Sequence, residues 1–240
     1  MNVGPRLSVG ETLNEVFALY KEHFGVLIPA AFWLFLAVSI LVGIAGSTFS
    51  LLVVAGILVL AVGTLYQGMV VSLVHRTRDG GDEPSVGELI GSVGPVLTTL
   101  VVASVLAAIG EFFGLIFFVV PGCILMTIWA VVAPAIVIER RDLSAAFTRS
   151  QRLTAGYGWP VFGAVISATL IAFLATLILG NIGEAIAGGP LLRIVFGALA
   201  TTVAAPITAL VAAVLYYRLL ELEGEGAAAP ATPPPMDPNG

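Results

Sequence analysis

Long apolar stretches alternate with short polar ones along most of the chain. A helix needs about 20 apolar residues to cross the ~30 Å hydrocarbon core of a bilayer. The stretches lack the two-residue alternation of barrel strands, and a helix satisfies its own backbone hydrogen bonds in lipid. The pattern predicts an all-α polytopic membrane bundle of six transmembrane helices, arranged as three hairpins. The predicted spans are about 24–45, 51–73, 96–119, 121–138, 160–179 and 194–217.

Two turns are placed by residues that interrupt helices. Gly46 to Ser50 is predicted to join the first two spans. Pro121-Gly122 is predicted to form the turn between the third and fourth, because Pro and Gly mark turns. Residues 96–138 far exceed one crossing, so two spans are required wherever the boundary falls.

A short amphipathic segment precedes each hairpin. The tetrapeptide at 8–11, Ser-Val-Gly-Glu, recurs at 85–88, and both copies have the serine and glutamate spacing of a capping box. Asp142 stands where it would cap a third short helix. These segments are predicted to be helices lying in the membrane interface. A true threefold repeat and three separately capped helices both remain open.

The chain divides into three regions by polarity. Residues 1–23 form a polar amphipathic segment without the pattern of a cleavable signal peptide, so the first span is expected to be an uncleaved anchor. Residues 24–217 form the six-span membrane domain. Residues 218–240 are rich in Glu, Gly, Ala and Pro and are predicted to be a disordered tail.

Composition and charge support a membrane location and give an orientation. Only 10% of residues are charged and 58% are apolar, whereas soluble domains carry about 25% charged residues. Of the 10 basic residues, only Arg193 falls on the side opposite the others. The positive-inside rule then predicts a bacterial inner-membrane protein with both termini in the cytoplasm.

Residues 119–159 carry the most distinctive motifs: a Pro-Gly pair, an Ala-Pro within a span, a closing glutamate, and Ala-x-x-Arg-Ser-x-x-Leu-Thr over 146–154. In these motifs the chain resembles the glycerophosphoryl diester phosphodiesterase membrane-domain family and related bacterial six-helix membrane proteins. The resemblance implies the six-helix architecture. Some members carry a soluble phosphodiesterase domain, but only 23 residues follow Tyr217 here, so that activity is not expected.

Glu111 is the most informative polar residue within the spans. It shares a helical face with Ala103 and Ala107, which predicts that it points into the bundle rather than at lipid. An intramembrane carboxylate is costly and raises a functional hypothesis. Three interpretations remain: a structural ion pair with Arg193, a protonated hydrogen-bonded carboxyl group, or an ion or substrate site.

Four arginines cluster between the fourth and fifth spans. They are either a site for anionic lipid headgroups or a topology signal without a specific ligand. Glu139 is placed to pair with Arg149 or Arg152, and both arginines are predicted to face water or headgroups. The cluster consists of Arg140, Arg141, Arg149 and Arg152.

Chemistry-bearing motifs are absent from the sequence: no catalytic set, cofactor fingerprint or metal-ligand spacing occurs. The leading hypothesis is therefore a non-enzymatic envelope accessory protein or interaction scaffold. The alternative is a small transporter or lipid-handling protein that uses a bundle cavity near Glu111 and Arg193. The expected partners are membrane lipids and either other membrane proteins or further copies of the chain, with no nucleic acid and no cofactor.

Overall fold

The computed structural model describes residues 7–45, 49–117, 119–186 and 188–228, and no strand occurs in these ranges. Within them, the side chains of residues 44–50, 52, 190, 193 and 225–228 are not described. The helices are α1 (Val9–Glu22), α2 (Phe24–Ala45), α3 (Phe49–Arg78), α4 (Val86–Val93), α5 (Leu97–Phe117), α6 (Val119–Ile128), α7 (Val132–Val137), α8 (Leu143–Thr154), α9 (Gly158–Ile186) and α10 (Pro190–Ala228).

Six helical stretches in the described part of the chain are long and apolar enough to cross a membrane. They are α2, α3, the run from α4 through α5, the run from α6 through α7, α9 and α10. The short helices α1, α4 and α8 each precede one pair of these stretches. The all-α polytopic bundle expected from the hydrophobic pattern is confirmed.

The last helix, α10, forms the centre of the bundle. In its most apolar membrane-length segment, 72% of the residues are buried inside the protein. In the corresponding segment of the run from α4 through α5, only 11% are buried. It packs closely against α9, α2, α3 and α1. Leu210, Leu215 and Tyr216 are among its fully buried side chains. The helix α5 instead lies at the periphery, where it packs on α3, α6 and α7.

The predicted turn at Pro121-Gly122 is wrong. The helix α5 ends at Phe117 and α6 already begins at Val119, so both residues lie within α6. Pro121 fits there because the first helical turn has no carbonyl partner for its N–H. Gly122 serves packing: a Cβ atom added at Gly114 of α5 would lie only 2.9 Å from the Gly122 Cα atom. The Pro-Gly pair therefore marks a close helix crossing.

Disorder predicted from residue 218 onward is wrong for residues 218–228, because α10 continues to Ala228. Ion pairs hold this extension against the rest of the molecule. Arg218 contacts Glu15 of α1 at 2.8 Å, and Glu221 contacts Arg78 of α3 at 3.1 Å. The rest of the predicted tail, residues 229–240, lies outside the described residues.

Two of the three predicted helix caps form. Ser85 and Glu88 make the reciprocal bonds of a capping box at α4. At α8, the Asp142 carboxylate accepts the Ala145 N–H at 3.0 Å. The cap predicted at Ser8 is wrong, since its side chain makes no capping bond and Glu11 instead contacts Arg218 at 3.2 Å.

The fourth span is broken in its middle. The helix α6 ends at Ile128 and α7 begins only at Val132. Pro134 explains the break, because it offers no N–H to the carbonyl of Ala130, four residues earlier, and its ring crowds that carbonyl. The short break at 129–131 lies against the interior of the bundle, where Val131 is fully buried.

Candidate functional site

A partly open cavity of about 270 Å³ lies between the helices of the bundle. The helix α5 lines one side of it, and α9 and α10 line another. Because α5 packs on α3, α6 and α7 but not closely on α9 or α10, a gap remains between these helices. Among the described lining residues, the polar ones are Gln67, Ser104, Glu111, Trp129, Thr169 and Thr208.

Small side chains on α5 create one wall of this cavity. Ala103, Ala107 and Ala108 all line it, at the spacing of one helical face that ends at Glu111. From Leu100 to Glu111 this wall extends over about 16 Å at 1.5 Å per residue. Glu111 lies on the cavity-lining face of α5 together with Ala103 and Ala107, as their helical spacing predicts.

The broken fourth span forms a second wall. Trp129, Ala130, Val132 and Ala133 from the break and the start of α7 all line the cavity. Ser150 of α8 closes the gap in the backbone hydrogen bonds. Its hydroxyl donates to the Ile128 carbonyl at 2.7 Å and accepts the Val131 N–H at 3.3 Å.

The sequence did not predict that Ser150 would bond to the backbone at the break. The Ala-Pro pair within the span was the available signal for a break, but it does not identify a partner on another helix. Ser150 is fully buried, and its hydroxyl satisfies two backbone groups that the break leaves open. An unpaired backbone group in the membrane interior costs several kcal/mol, so this serine stabilises the wall of the cavity.

Three polar groups at the cavity have no hydrogen-bond partner or ion pair among the described residues. They are the Glu111 carboxylate, the Gln67 carboxamide and the buried Trp129 Nε1 group. Away from the cavity, the hydroxyl groups of Thr176 and Thr202 donate hydrogen bonds to carbonyl oxygens of their own helices. Unpaired polar groups in an apolar medium are costly, so their convergence indicates a place for water or a polar ligand.

The predicted partner of Glu111 is Arg193. The side chain of Arg193 lies outside the described residues, although the backbone at this position belongs to the first turns of α10. The pair of Glu111 with Arg193 therefore stays a prediction. The structure brings Glu111 together with Gln67 and Trp129 at the cavity.

A cluster of ion pairs, here called the Glu139 cluster, joins the end of the broken span to α8 and α10. Arg149 Nε donates to Glu139 at 2.8 Å, and its two terminal nitrogens donate to both oxygens of Glu223 at 2.7 and 2.8 Å. Tyr216 donates its hydroxyl to Glu139 at 2.6 Å. Arg141 also donates to Glu139. The predicted pairing of Glu139 with Arg149 is confirmed.

Hydrogen bonds within this cluster stabilise the charged forms of Glu139 and Arg149. Burial by itself would raise the pKa of Glu139, but hydrogen bonds from Arg149, Tyr216 and Arg141 outweigh it and lower the pKa to about 2. The hydrogen bonds to Glu223 raise the pKa of Arg149. Both groups are therefore charged at neutral pH, and Arg149 is a structural cation fixed by two carboxylates.

The four arginines proposed as a lipid or topology cluster have different environments. The prediction that Arg149 faces water or headgroups is wrong, because its side chain is only 8% exposed. Arg140 donates to the Ser92 carbonyl at 3.1 Å, and Arg152 approaches Glu223 at 3.6 Å. Arg140, Arg141 and Arg152 are exposed, so these three remain candidates for contact with anionic headgroups.

These features define the class of the molecule as an integral membrane protein built only of helices in its described part. In comparisons with known proteins, the chain matches no family model, no curated protein and no solved structure. The resemblance to the glycerophosphoryl diester phosphodiesterase membrane-domain family therefore stays a prediction from its motifs.

Proposed function

We propose that this protein is a small transporter or carrier that accepts a small polar solute in its intramembrane cavity. One observation carries the proposal: Glu111, Gln67 and Trp129 come from three different spans and line one cavity, and their polar groups have no partner among the described residues. A scaffold would favour a dry interior packed by small apolar residues, because polar groups facing lipid or a void cost stability.

The broken fourth span supports the same function. Transporters commonly bind their substrates near the middle of the membrane, beside helices that are interrupted at that depth. Here the break at 129–131 directly borders the cavity. Cavities for drug-sized ligands measure roughly 300–1,000 Å³. A volume of about 270 Å³ therefore suits a smaller solute.

The proposed location is a bacterial inner membrane, with α1, α4, α8 and the end of α10 on the cytoplasmic side. The positive-inside bias supports this orientation. The contact geometry supports a common side for these segments, because Arg218 near the end of α10 reaches Glu15 of α1, and Glu223 reaches Arg149 of α8. Residues from the two ends of the membrane domain thus meet at one end of the bundle.

Osmotic swelling of proteoliposomes tests the proposed function across many candidate solutes at once. Liposomes containing the wild-type chain are mixed with a panel of small solutes, including polyols, amides, amino acids and alkylammonium salts, and swelling is followed by light scattering. At least one solute is expected to enter faster than into protein-free liposomes, because the cavity replaces part of its hydration shell. Glu111→Gln is expected to remove most of that difference.

The matched control is Glu22→Gln, which changes an exposed carboxylate at the end of α1, away from the cavity. It should leave the swelling rates unchanged. If every solute enters wild-type and protein-free liposomes equally fast, the transport proposal is wrong.

A further inference from the structure

The charge balance of the cavity is one-sided. Glu111 is the only ionisable acidic or basic side chain among its described lining residues, and no Lys, Arg or His is among them. An anionic solute would meet an uncompensated carboxylate in a medium of low dielectric constant. A cationic solute would instead neutralise that carboxylate.

An aromatic ring lines the same cavity as this carboxylate. Carbon atoms of the Trp129 six-membered ring press against Gly110, where a Cβ atom would lie 2.6 Å away. Gly110 directly precedes Glu111 in α5. Phe147 holds the indole from another direction, in an edge-to-face contact with ring centroids 5.2 Å apart. A carboxylate and an aromatic ring that line one cavity can together attract an ammonium group, through charge and cation–π interaction.

The remaining lining suits an organic cation better than a bare metal ion. No group of three or more His, Cys, Asp or Glu side chains that could hold a metal occurs in the described residues. Oxygen atoms of Gln67, Ser104 and Thr169 are acceptors for the N–H groups of an ammonium ion. The alanines of α5 provide apolar contact for a short alkyl group.

We infer that the solute is a small organic ammonium ion, with its charged nitrogen held between the Glu111 carboxylate and the Trp129 indole. The inference rests on the proposed function, because it names the chemical class of the solute for the same cavity.

A single-tryptophan protein provides a direct reporter of this site. The chain has three tryptophans, and Trp33 and Trp159 are 69% and 85% exposed on the outer surface of the bundle. The double variant Trp33→Phe/Trp159→Phe therefore retains Trp129 alone, at little cost to packing. The protein is purified in a maltoside detergent, which contains no ammonium group, and is titrated with propylammonium chloride at constant ionic strength.

The expected result is a saturable change in Trp129 fluorescence with propylammonium, and none with butan-1-ol or butyrate, which are of similar size but carry no positive charge. Adding Glu111→Gln should weaken propylammonium binding by at least about tenfold, since a charge pair is lost. Adding Glu111→Asp should give an intermediate affinity, and adding Glu22→Gln should change nothing. Circular dichroism confirms that each variant is folded.

The titration distinguishes failure of the cation inference from failure of the proposed solute cavity. If butan-1-ol or butyrate binds as well as propylammonium, or if Glu111→Gln and Glu111→Asp both bind propylammonium as tightly as the parent, the cation inference is wrong and a solute cavity remains. If no probe binds and aqueous acrylamide does not quench Trp129, both the cation inference and the solute cavity are wrong.

Discussion

Arg149→Ala is expected to destabilise the protein more than any other single change in the Glu139 cluster. The substitution removes the cation that bridges Glu139 and Glu223, leaving only the more exposed Arg141 and Arg152 beside them, and it breaks three hydrogen bonds of 2.7–2.8 Å. Removing one partner of a buried ion pair typically costs about 3–5 kcal/mol. The apparent midpoint of thermal unfolding in detergent should therefore fall by many degrees.

Arg152→Ala is the matched control for this prediction, since Arg152 belongs to the same helix but its side chain is 65% exposed. Exposed ion pairs contribute roughly 0–1 kcal/mol, so its midpoint should hardly change. Arg149→Lys should recover only part of the loss, because an ammonium group cannot reproduce the two-pronged contact with Glu223. Equal midpoints for Arg149→Ala and Arg152→Ala would show that the cluster does not hold the helices together.

Gly114→Leu is expected to separate the α5–α6 hairpin. A Cβ atom at Gly114 would lie 2.9 Å from the Gly122 Cα atom and 3.0 Å from its backbone nitrogen, and backbone atoms cannot move aside as a flexible side chain can. Overpacking a well-packed contact typically costs about 1–3 kcal/mol, and a leucine against backbone belongs at the upper end or beyond. The yield of folded, monodisperse protein on gel filtration should drop sharply.

Gly180→Leu is the control, because a Cβ atom at this position in α9 has no neighbour within 4 Å. It adds the same side chain to a membrane span without a clash, so its yield should stay close to wild type. A Gly114→Leu protein with wild-type yield and thermal midpoint would rule out the close crossing of α5 and α6.

The sequence pattern was sufficient for the features that depend on a single helix. Hydropathy identified six spans because lipid requires a continuous apolar run in each. The spacing of Ala103, Ala107 and Glu111 indicated which face of α5 is internal, because these positions share one side of a helix. Glu139 and Arg149 are close in sequence, so their ion pair could also be predicted.

Features that depend on contacts between distant segments were not predictable in this way. Pro121-Gly122 has the composition of a turn, and only the approach of Gly114 reveals its packing role. The extension of α10 beyond residue 218 is stabilised as a helix by Leu219, which is buried in the core, and by ion pairs with α1, α3 and α8. The composition of a segment does not show which distant residues it will contact.

The candidate site shows the same limit. Glu111 stood out because a carboxylate is rare in a span. Trp129 did not, since an indole in a span usually has an ordinary packing role. Their convergence with Gln67 on one cavity depends on how α3, α5 and the broken fourth span pack together.

A cysteine scan along α5 tests most directly whether this face of the helix borders a space that polar molecules enter. In a Cys123→Ser background, cysteines at Ala103, Ser104, Ala107 and Ala108 would line the cavity, whereas cysteines at Val102, Leu106 and Ile109 would face lipid. Membrane-embedded protein is treated with a small hydrophilic thiol reagent, and the rate at each position is measured by mass spectrometry. Fast labelling confined to the first group is expected, because thiols at lipid-facing positions rarely ionise or meet the reagent. Equal rates in both groups, or no labelling at any of these positions, would contradict a polar cavity inside the bundle.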